Sequence, residues 1–107
     1  MRRGEIWTFR FAPPDKQRPV LLLTRSDMIP LLNTVTVAPL TWTIRGVASE
    51  VQVGQEVGLK EASVINLHHV VTIPRAGLRG HIGSVSAATM ARVRAALLFS
   101  LGWDDEA

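Results

Sequence analysis

The chain has 107 residues and no cysteine, with an apolar share of 47% and a formal net charge of +3. This length and composition favour a single domain over residues 1–107, and they exclude disulfides, cysteine metal ligands and cysteine nucleophiles. Three of the acidic residues lie together at 104–106. The rest of the chain, residues 1–103, is therefore more basic than the net charge suggests, with twelve basic and six acidic side chains. Such a balance favours an anionic partner, with nucleic acid first.

The distribution of apolar residues indicates neither a signal peptide nor a membrane span. Arg2 and Arg3 are not followed by an apolar run. No stretch approaches the roughly 20 apolar residues that a span requires. The lack of cysteine also fits a reducing compartment. We therefore expect a cytoplasmic protein with no membrane partner.

The first third of the chain predicts two paired strands. Residues 4–11 combine aromatic and β-branched side chains and predict a first strand. The proline-containing segment 12–17 predicts a tight loop. A buried second strand then begins at Pro19, runs to about residue 24 and pairs antiparallel with the first. Arg18 would stand at the mouth of this strand, and residues 25–33 predict a short helix or an apolar loop.

The middle of the chain predicts further short strands. Residues 34–41 predict a strand in which Val35 and Val37 alternate with Thr34 and Thr36, and Pro39 predicts that pairing is broken or at an edge near its end. Thr41 would therefore stand at another strand mouth. Residues 42–46 predict an exposed connection. Additional strand segments are predicted at 47–53, 63–67, 70–73 and 78–85, with His68 and His69 between the second and third of these.

The last part of the chain predicts one helix, over 87–101. Ser86 is a good N-cap and Gly102 supplies the stop, while Met90, Val93, Leu97 and Leu101 form one apolar stripe. Trp103 would either fold back on the sheet or contact a partner. The predicted fold class is mainly β with a C-terminal α-helix: five to seven short strands in a strongly curved sheet or barrel closed by the helix.

Most catalytic constellations are absent from the sequence. His68 and His69 would point to opposite faces of a strand, with no carboxylate at ligand spacing, so no metal site is predicted. No glycosidase-like carboxylate pair and no glycine-rich phosphate loop is present. Arg18 and Thr41 remain, with Lys16, Arg25 and Arg45 on neighbouring loops. A guanidinium suits phosphate recognition, although an arginine at a strand mouth can equally pair with a carboxylate or lie in solvent.

Three motifs and the second half of the chain resemble one family over nearly the whole sequence. The motifs are Arg-Gly-Glu-Ile-Trp at 3–7, Arg-Pro-Val-Leu-Leu-Leu at 18–23 and Val-Thr-Val-Ala-Pro-Leu-Thr at 35–41. They resemble, in order, the motifs of the MazF/PemK-type toxin endoribonucleases of type II toxin–antitoxin systems. Residues 63–65, residues 72–73 and the helix after Ser86 resemble the second half of that family.

This resemblance implies a small SH3-like barrel of the CcdB/PemK plasmid-maintenance-toxin fold, working as a homodimer without a cofactor. It implies sequence-specific, metal-independent cleavage of single-stranded RNA, in which the 2′-hydroxyl attacks the adjacent phosphate and leaves a 2′,3′-cyclic phosphate and a 5′-hydroxyl. The family's motif arginine falls on Arg18 and its motif threonine on Thr41. The expected protein partner is a cognate MazE-like antitoxin. The expected RNA-binding residues are Lys16, Gln17, Arg25, Thr43, Arg45, His68 and His69.

The chain departs from the family pattern at segments that, in the family it resembles, contact RNA bases. Its first loop, 13–17, is shorter and lacks the usual glutamate, and His68-His69 replaces the usual Glu-Gln. The catalytic pair is therefore expected to carry over while the recognised sequence is not. A shorter loop with more cations predicts a more open groove, which would admit tRNA or rRNA as well as mRNA.

Two other functions fit the same sequence. One is a non-enzymatic toxin of the same fold that binds a protein such as DNA gyrase, with Trp103 in the contact. The other is a basic nucleic-acid-binding module without activity, whose affinity would depend on salt. Within the ribonuclease hypothesis the general base stays open, with His68 and His69 as candidates by residue type.

Overall fold

Seven strands and one α-helix follow one another in the part of the chain that the structure covers. The computed structural model describes residues 1–14 and 16–104, so Asp15 of the first loop and the acidic residues Asp105 and Glu106 lie outside the described residues. The elements are β1 Glu5–Arg10, β2 Gln17–Leu22, β3 Thr34–Thr41, β4 Glu50–Val53, β5 Ser63–Asn66, β6 Val71–Pro74, β7 Leu78–Ser84 and α1 Ala87–Leu101.

The strands form one antiparallel sheet in the order β4-β5-β3-β2-β1-β7, and β6 pairs with β3 beside this path. The predicted mainly β fold with a C-terminal helix is confirmed, including the antiparallel pairing of the first two strands. Within the described residues no ladder joins β4 to β7, so the sheet stays open and is not a closed barrel. Helix α1 packs against β4.

Strand β3 organises the sheet because it exchanges partners along its length. On one side it pairs with β2 from Val37 to Pro39. On the other side it pairs with β6 over 34–37 and then with β5 at Leu40 and Thr41. Pro39 lies between these two ladders, as its missing N–H requires. The prediction of interrupted pairing near Pro39 is confirmed, and Thr41 is the last residue of the strand.

Strand β2 begins at Gln17, two residues before the predicted start at Pro19. Its ladder with β1 includes Arg18 opposite Phe9 and Gln17 opposite Arg10. The ladder with β3 begins only at Val20, so Pro19 forms no ladder pair with β3. Proline is tolerated at such an edge position. Arg18 is thus fixed within a strand and is not the end of a loop.

Strand β4 begins at Glu50, three residues after the predicted start at Val47. The N–H of Glu50 donates to the carbonyl of Val47 at 3.1 Å and closes a turn. The Glu50 carboxylate also accepts from the backbone N–H groups of Arg45 and Gly46, at 3.1 and 2.9 Å. These bonds hold residues 45–49 in a compact connection, which is why the valine–serine alternation there does not continue the strand.

Both faces of the central strands are buried, which explains the uninterrupted apolar run in β2. Alternate residues contribute to two cores. One core packs the sheet against α1 and includes Ile6, Leu21, Leu40, Ile65, Val93 and Ala96. The other lies on the opposite face, under the aromatic side chains of β1, and includes Val20, Leu22, Ile29, Val35, Val37 and Ile73. These cores make the strand positions of Arg18 and Thr41 rigid.

Helix α1 has the predicted bounds and caps. The Ser86 hydroxyl accepts from the N–H of Thr89 at 3.1 Å, and Gly102 adopts a left-handed conformation with φ of 74°. The predicted apolar stripe is wrong at its end: Val93 is buried, but Leu101 is 54% exposed. Trp103 is 74% exposed, so it does not fold back on the sheet.

Glu5 ties the N-terminus to the sheet. Its Oε1 accepts from Trp7 Nε1 at 2.9 Å and from the backbone N–H of Arg2 at 3.1 Å. Burial, the largest single influence, acts to raise the pKa of this carboxyl, but the two hydrogen bonds and the nearby N-terminal charge outweigh it. The net result is a pKa below the usual value of 4.5.

Candidate active site

Arg18 and Thr41 lie on adjacent strands at the same end of the sheet. The register that pairs Val20 with Pro39 and Leu21 with Ala38 places Arg18 beside Thr41 when it is continued by two residues. Both side chains are half-buried. They also line both of the cavities described below. The structure therefore brings together the two residues that the family motifs predicted to be catalytic.

The hydroxyl of Thr41 is oriented by the chain that follows it. Its Oγ1 accepts a hydrogen bond from the backbone N–H of Thr43 at 3.2 Å. That bond uses an oxygen lone pair and leaves the hydroxyl hydrogen to be donated. Thr41 can thus act as a hydrogen-bond donor toward an anion beside Arg18.

The first cavity, here called the His69 cavity, has a volume of about 500 Å³. It opens between the ends of β2, β3 and β5 and the turn that follows β5. Arg18 and Arg45 supply its positive charge, and Asn66 and His69 supply further polar groups. Its lining residues are Phe11, Arg18, Pro39, Leu40, Thr41, Thr43, Arg45, Asn66, His69 and Val71.

Arg45 is placed at this cavity by Glu50. Because the Glu50 carboxylate accepts from the N–H groups of Arg45 and Gly46, the exposed 42–46 connection is anchored to the first residue of β4. Sequence pattern assigns no role to Glu50, since a side chain that binds the backbone five residues earlier leaves no recognisable pattern of residues. Glu50 is a positioning residue for the loop that carries Thr43 and Arg45.

The two neighbouring histidines lie in a turn and not in a strand. The prediction that they point to opposite sheet faces is therefore wrong: their ring centroids are 4.7 Å apart, with the rings at 70° to each other. Asn66, at the end of β5, holds this turn. Its Oδ1 accepts from the N–H of His68 at 3.1 Å, and its Nδ2 lies 3.2 Å from His69 Nδ1.

The second cavity, here called the Trp42 cavity, has a volume of about 420 Å³ and lies on the other side of Arg18 and Thr41. Trp42 is 66% exposed, and Lys16 Nζ lies 5.9 Å from the centroid of its ring. A lysine ammonium at this distance makes a cation–π contact with the indole ring, which helps to hold the Trp42 side chain in place. The lining residues are Lys16, Gln17, Arg18, Pro19, Leu40, Thr41, Trp42, Thr43, Leu59, Lys60, Glu61 and Ser63.

Two of the predicted RNA-binding residues line neither cavity. Arg25 forms an exposed ion pair with Asp27, in which Nε and Oδ1 are 2.9 Å apart, on the segment that follows β2. His68 turns to Ser49, whose Oγ lies 2.5 Å from its Nδ1. Both residues follow strand ends that form the site by two or three residues, but their side chains are held by partners outside the two cavities.

The remaining predicted residues reach the site, and sequence reasoning missed several others. Lys16 and Gln17 line the Trp42 cavity, Arg45 and His69 line the His69 cavity, and Thr43 lines both. Asn66 and Lys60 were missed. An asparagine at the end of a strand is a turn signal that could have identified the first. Lys60 comes from a segment between strands and has no such signal.

Among residues 1–14 and 16–104, no three His, Cys, Asp or Glu side chains form a group that could hold a metal ion. In the same part of the chain no helix has the length and apolar character needed to cross a bilayer.

The sequence motifs predicted Arg18 and Thr41 at two strand mouths of a small β fold, and the structure places them on adjacent strands between two cation-bearing cavities. The family described as "PemK-like, MazF-like toxin of type II toxin-antitoxin system" matches residues 2–101. The chain belongs to this family.

Relatives and solved structures agree with this membership. Endoribonuclease MazF3 of Mycobacterium tuberculosis is 43% identical over 91 residues, which are 83% of this chain and 88% of that protein. Probable endoribonuclease MazF of Mycolicibacterium smegmatis is 33% identical, and the match spans 95% of this chain and 97% of that protein. The structure of the Mycobacterium tuberculosis toxin MazF-mt6 superposes with a TM-score of 0.88 at 38% identity, over 94% of this chain and 98% of that one.

Proposed function

We propose that this protein is a sequence-specific endoribonuclease toxin that cleaves single-stranded RNA, without a metal ion, at a phosphate held between Arg18 and Thr41. The observation that carries this proposal is the placement of these two side chains on adjacent strands, where the His69 and Trp42 cavities meet. Family membership supplies the reaction class. The residue types at the junction fit the charge that this reaction develops.

In the proposed reaction the 2′-oxygen forms a bond to phosphorus and the bond from phosphorus to the 5′-oxygen breaks. The products are a 2′,3′-cyclic phosphate and a 5′-hydroxyl. The proton of the attacking 2′-hydroxyl passes to a base, and the departing 5′-oxygen takes a proton from water. Arg18 neutralises the charge on the pentacovalent phosphorane, and the Thr41 hydroxyl donates a further hydrogen bond to it.

The two cavities supply a path for the nucleotides on either side of that phosphate. Arg45 lies on one side, and Lys16 and Lys60 lie on the other. Cations along both arms favour a polyanionic chain over a compact anion. The exposed ring of Trp42 is suited to stack on a base, which is the usual way in which proteins hold single-stranded RNA.

We extend the proposal to the partners of this chain. A toxin of a type II system is neutralised by a cognate antitoxin, here a MazE-like protein, and an acidic antitoxin segment would meet the same cations that bind RNA. The toxin would act as a homodimer in the cytoplasm, where its RNA substrate is found. Light scattering of the purified chain, and its co-purification with an antitoxin, test these assignments separately.

The experiment that tests the function is incubation of the purified protein with a mixed pool of mRNA, tRNA and rRNA in EDTA, followed by mapping of new 5′-hydroxyl ends. We expect cuts at one short sequence, and their distribution shows whether folded RNAs are substrates. The Arg18→Ala variant should produce none. Arg94→Ala is a matched control, because it removes the same charge from an exposed helix position that lines neither cavity.

A complete lack of cuts by the unsubstituted protein, in every RNA class, would refute the proposal. The alternative is then a toxin that acts on a protein such as DNA gyrase, with the exposed Trp103 as a contact residue. Cuts that disappear on chelation and return with a divalent ion would keep the nuclease but refute its metal independence.

A further inference from the structure

The amide of Asn66 connects the backbone of one histidine to the side chain of the next. Asn66 is 7% exposed, whereas His68 and His69 are both exposed. Its Oδ1 accepts from His68 N–H and its Nδ2 faces His69 Nδ1, at 3.1 and 3.2 Å. A buried amide with both ends engaged is held in one orientation.

That orientation follows from the backbone contact. A backbone N–H can only donate, so the amide oxygen must face His68. Rotating the amide by half a turn would put its NH₂ group against this N–H and leave both donors without an acceptor. The Nδ2 group, which also only donates, therefore faces His69 Nδ1, and Nδ1 must act as the acceptor. In the neutral ring the proton is then on Nε2.

We infer that Asn66 is a positioning residue that fixes His69 as an Nε2–H hydrogen-bond donor to the RNA phosphate, and not as the general base. This inference rests on the proposed function. His69 lines the same cavity as Arg18 and Thr41, and its Nε2 is on the ring edge away from Asn66. A nitrogen that already carries a proton cannot accept that of the 2′-hydroxyl. It can stabilise the charge on a phosphate oxygen, with no proton transferred.

The contacts of His68, in contrast to those of His69, do not determine which ring nitrogen carries the proton. Its Nδ1 faces the hydroxyl of Ser49, which can donate or accept. Ser49 therefore fixes no tautomer of His68. Of the two histidines that sequence reasoning left open as bases, the structure assigns His69 to donation.

The tautomer is tested by nitrogen NMR on the ¹⁵N-labelled protein, at a pH where the histidine shifts no longer change. The three histidines are assigned by single substitutions. We expect His69 Nδ1 to be unprotonated and to show a coupling across the hydrogen bond from Asn66 Nδ2. Asn66→Asp places an acceptor at the same position, so we expect the His69 proton to move to Nδ1. Ser49→Ala is the control and should alter only His68.

A protonated Nδ1 or a missing Asn66 coupling in the unsubstituted protein would overturn the inference, as would an unchanged His69 tautomer in a folded Asn66→Asp variant. If that variant does not fold, the coupling in the unsubstituted protein decides. None of these readouts depends on RNA cleavage, so they stand even if the proposed function fails.

Activity separates a donor from a base. His69→Gln keeps a neutral N–H donor that cannot act as a base, whereas His69→Ala keeps neither function. For a donor to the phosphate, we expect the cleavage rate of the alanine variant to fall on the order of 100-fold and that of the glutamine variant to fall much less. Equal losses in the two variants would identify a base and overturn the assignment.

Discussion

Replacing Thr41 by valine is the substitution that tests the proposed site most directly. Valine has nearly the shape of threonine and suits a strand, so β3 keeps its pairing and its packing. The change removes the hydroxyl that is proposed to donate to the phosphorane. It also removes the acceptor for the N–H of Thr43, at 3.2 Å.

These two losses have different magnitudes. Thr43 is exposed, so water replaces the lost hydrogen bond and the free energy of unfolding falls by about 1 kcal/mol or less. A preorganised donor to a developing oxyanion contributes about 2.7–4 kcal/mol to the transition state, which corresponds to a 10²- to 10³-fold loss of rate. Thr41→Val should therefore be a folded protein that cleaves RNA on the order of 100-fold more slowly.

The assay is single-turnover cleavage of an oligonucleotide that contains the mapped sequence, in EDTA, alongside urea unfolding. Thr41→Ser restores the hydroxyl and should recover most of the rate. Thr34→Val is the matched control, because it removes a hydroxyl from an exposed position at the opposite end of the same strand. Thr41→Val and Thr34→Val cleaving at the same rate would refute the role of the Thr41 hydroxyl.

Three further predictions concern the scaffold. Gly83→Ala would place a Cβ 2.2 Å from the carbonyl oxygen of Val57, so urea unfolding should show a loss of stability of about 1–3 kcal/mol. Gly80→Ala is its control: the nearest atom to the new Cβ is 3.7 Å away, and stability should change by less than about 0.5 kcal/mol. Because the pKa of Glu5 is lowered in the folded state, Glu5→Gln should reduce the free energy of unfolding at pH 7. The difference in stability between the two proteins should vanish as pH falls through the folded-state pKa, below 4.5. A difference that stays constant with pH would contradict this. Glu50→Ala should release the 42–46 connection, so KM for RNA should rise more than kcat falls. Hydrogen exchange at the Arg45 and Gly46 amides should also become faster, and unchanged exchange would show that Glu50 does not anchor this connection.

Sequence pattern was sufficient for the elements that depend on local chemistry. The helix bounds followed from Ser86 and Gly102, and the start of β3 at Thr34 followed from valine–threonine alternation. The errors at β2 and β4 have a common cause. Whether Pro19 starts a strand, or Val47 belongs to one, depends on which neighbour lies beside it, and pairing partners are set by the whole sheet.

The site was predictable only in part for the same reason. Family motifs indicated Arg18 and Thr41, and the strand register explains why they meet. Which loop residues join them could not be read from sequence. Arg25 and Arg45 both follow strand ends, yet one is held by a local carboxylate outside the cavities and the other is carried in by Glu50. Both residues are arginines, and they differ only in the carboxylate that holds them, Asp27 for Arg25 and Glu50 for Arg45.

This difference between strand and loop positions has a consequence for specificity. The proposed catalytic pair is fixed by strand pairing and by two buried cores, whereas the adjoining loops are held by polar side chains. Glu50 holds the connection after β3, and Asn66 holds the turn after β5. Substitutions in a loop, or in its anchor, can therefore alter contacts with RNA bases while Arg18 and Thr41 stay in place. We expect anchor variants to change which sequences are cut before they abolish cutting, and a cleavage map of Glu50→Ala identical to that of the unsubstituted protein would argue against this division.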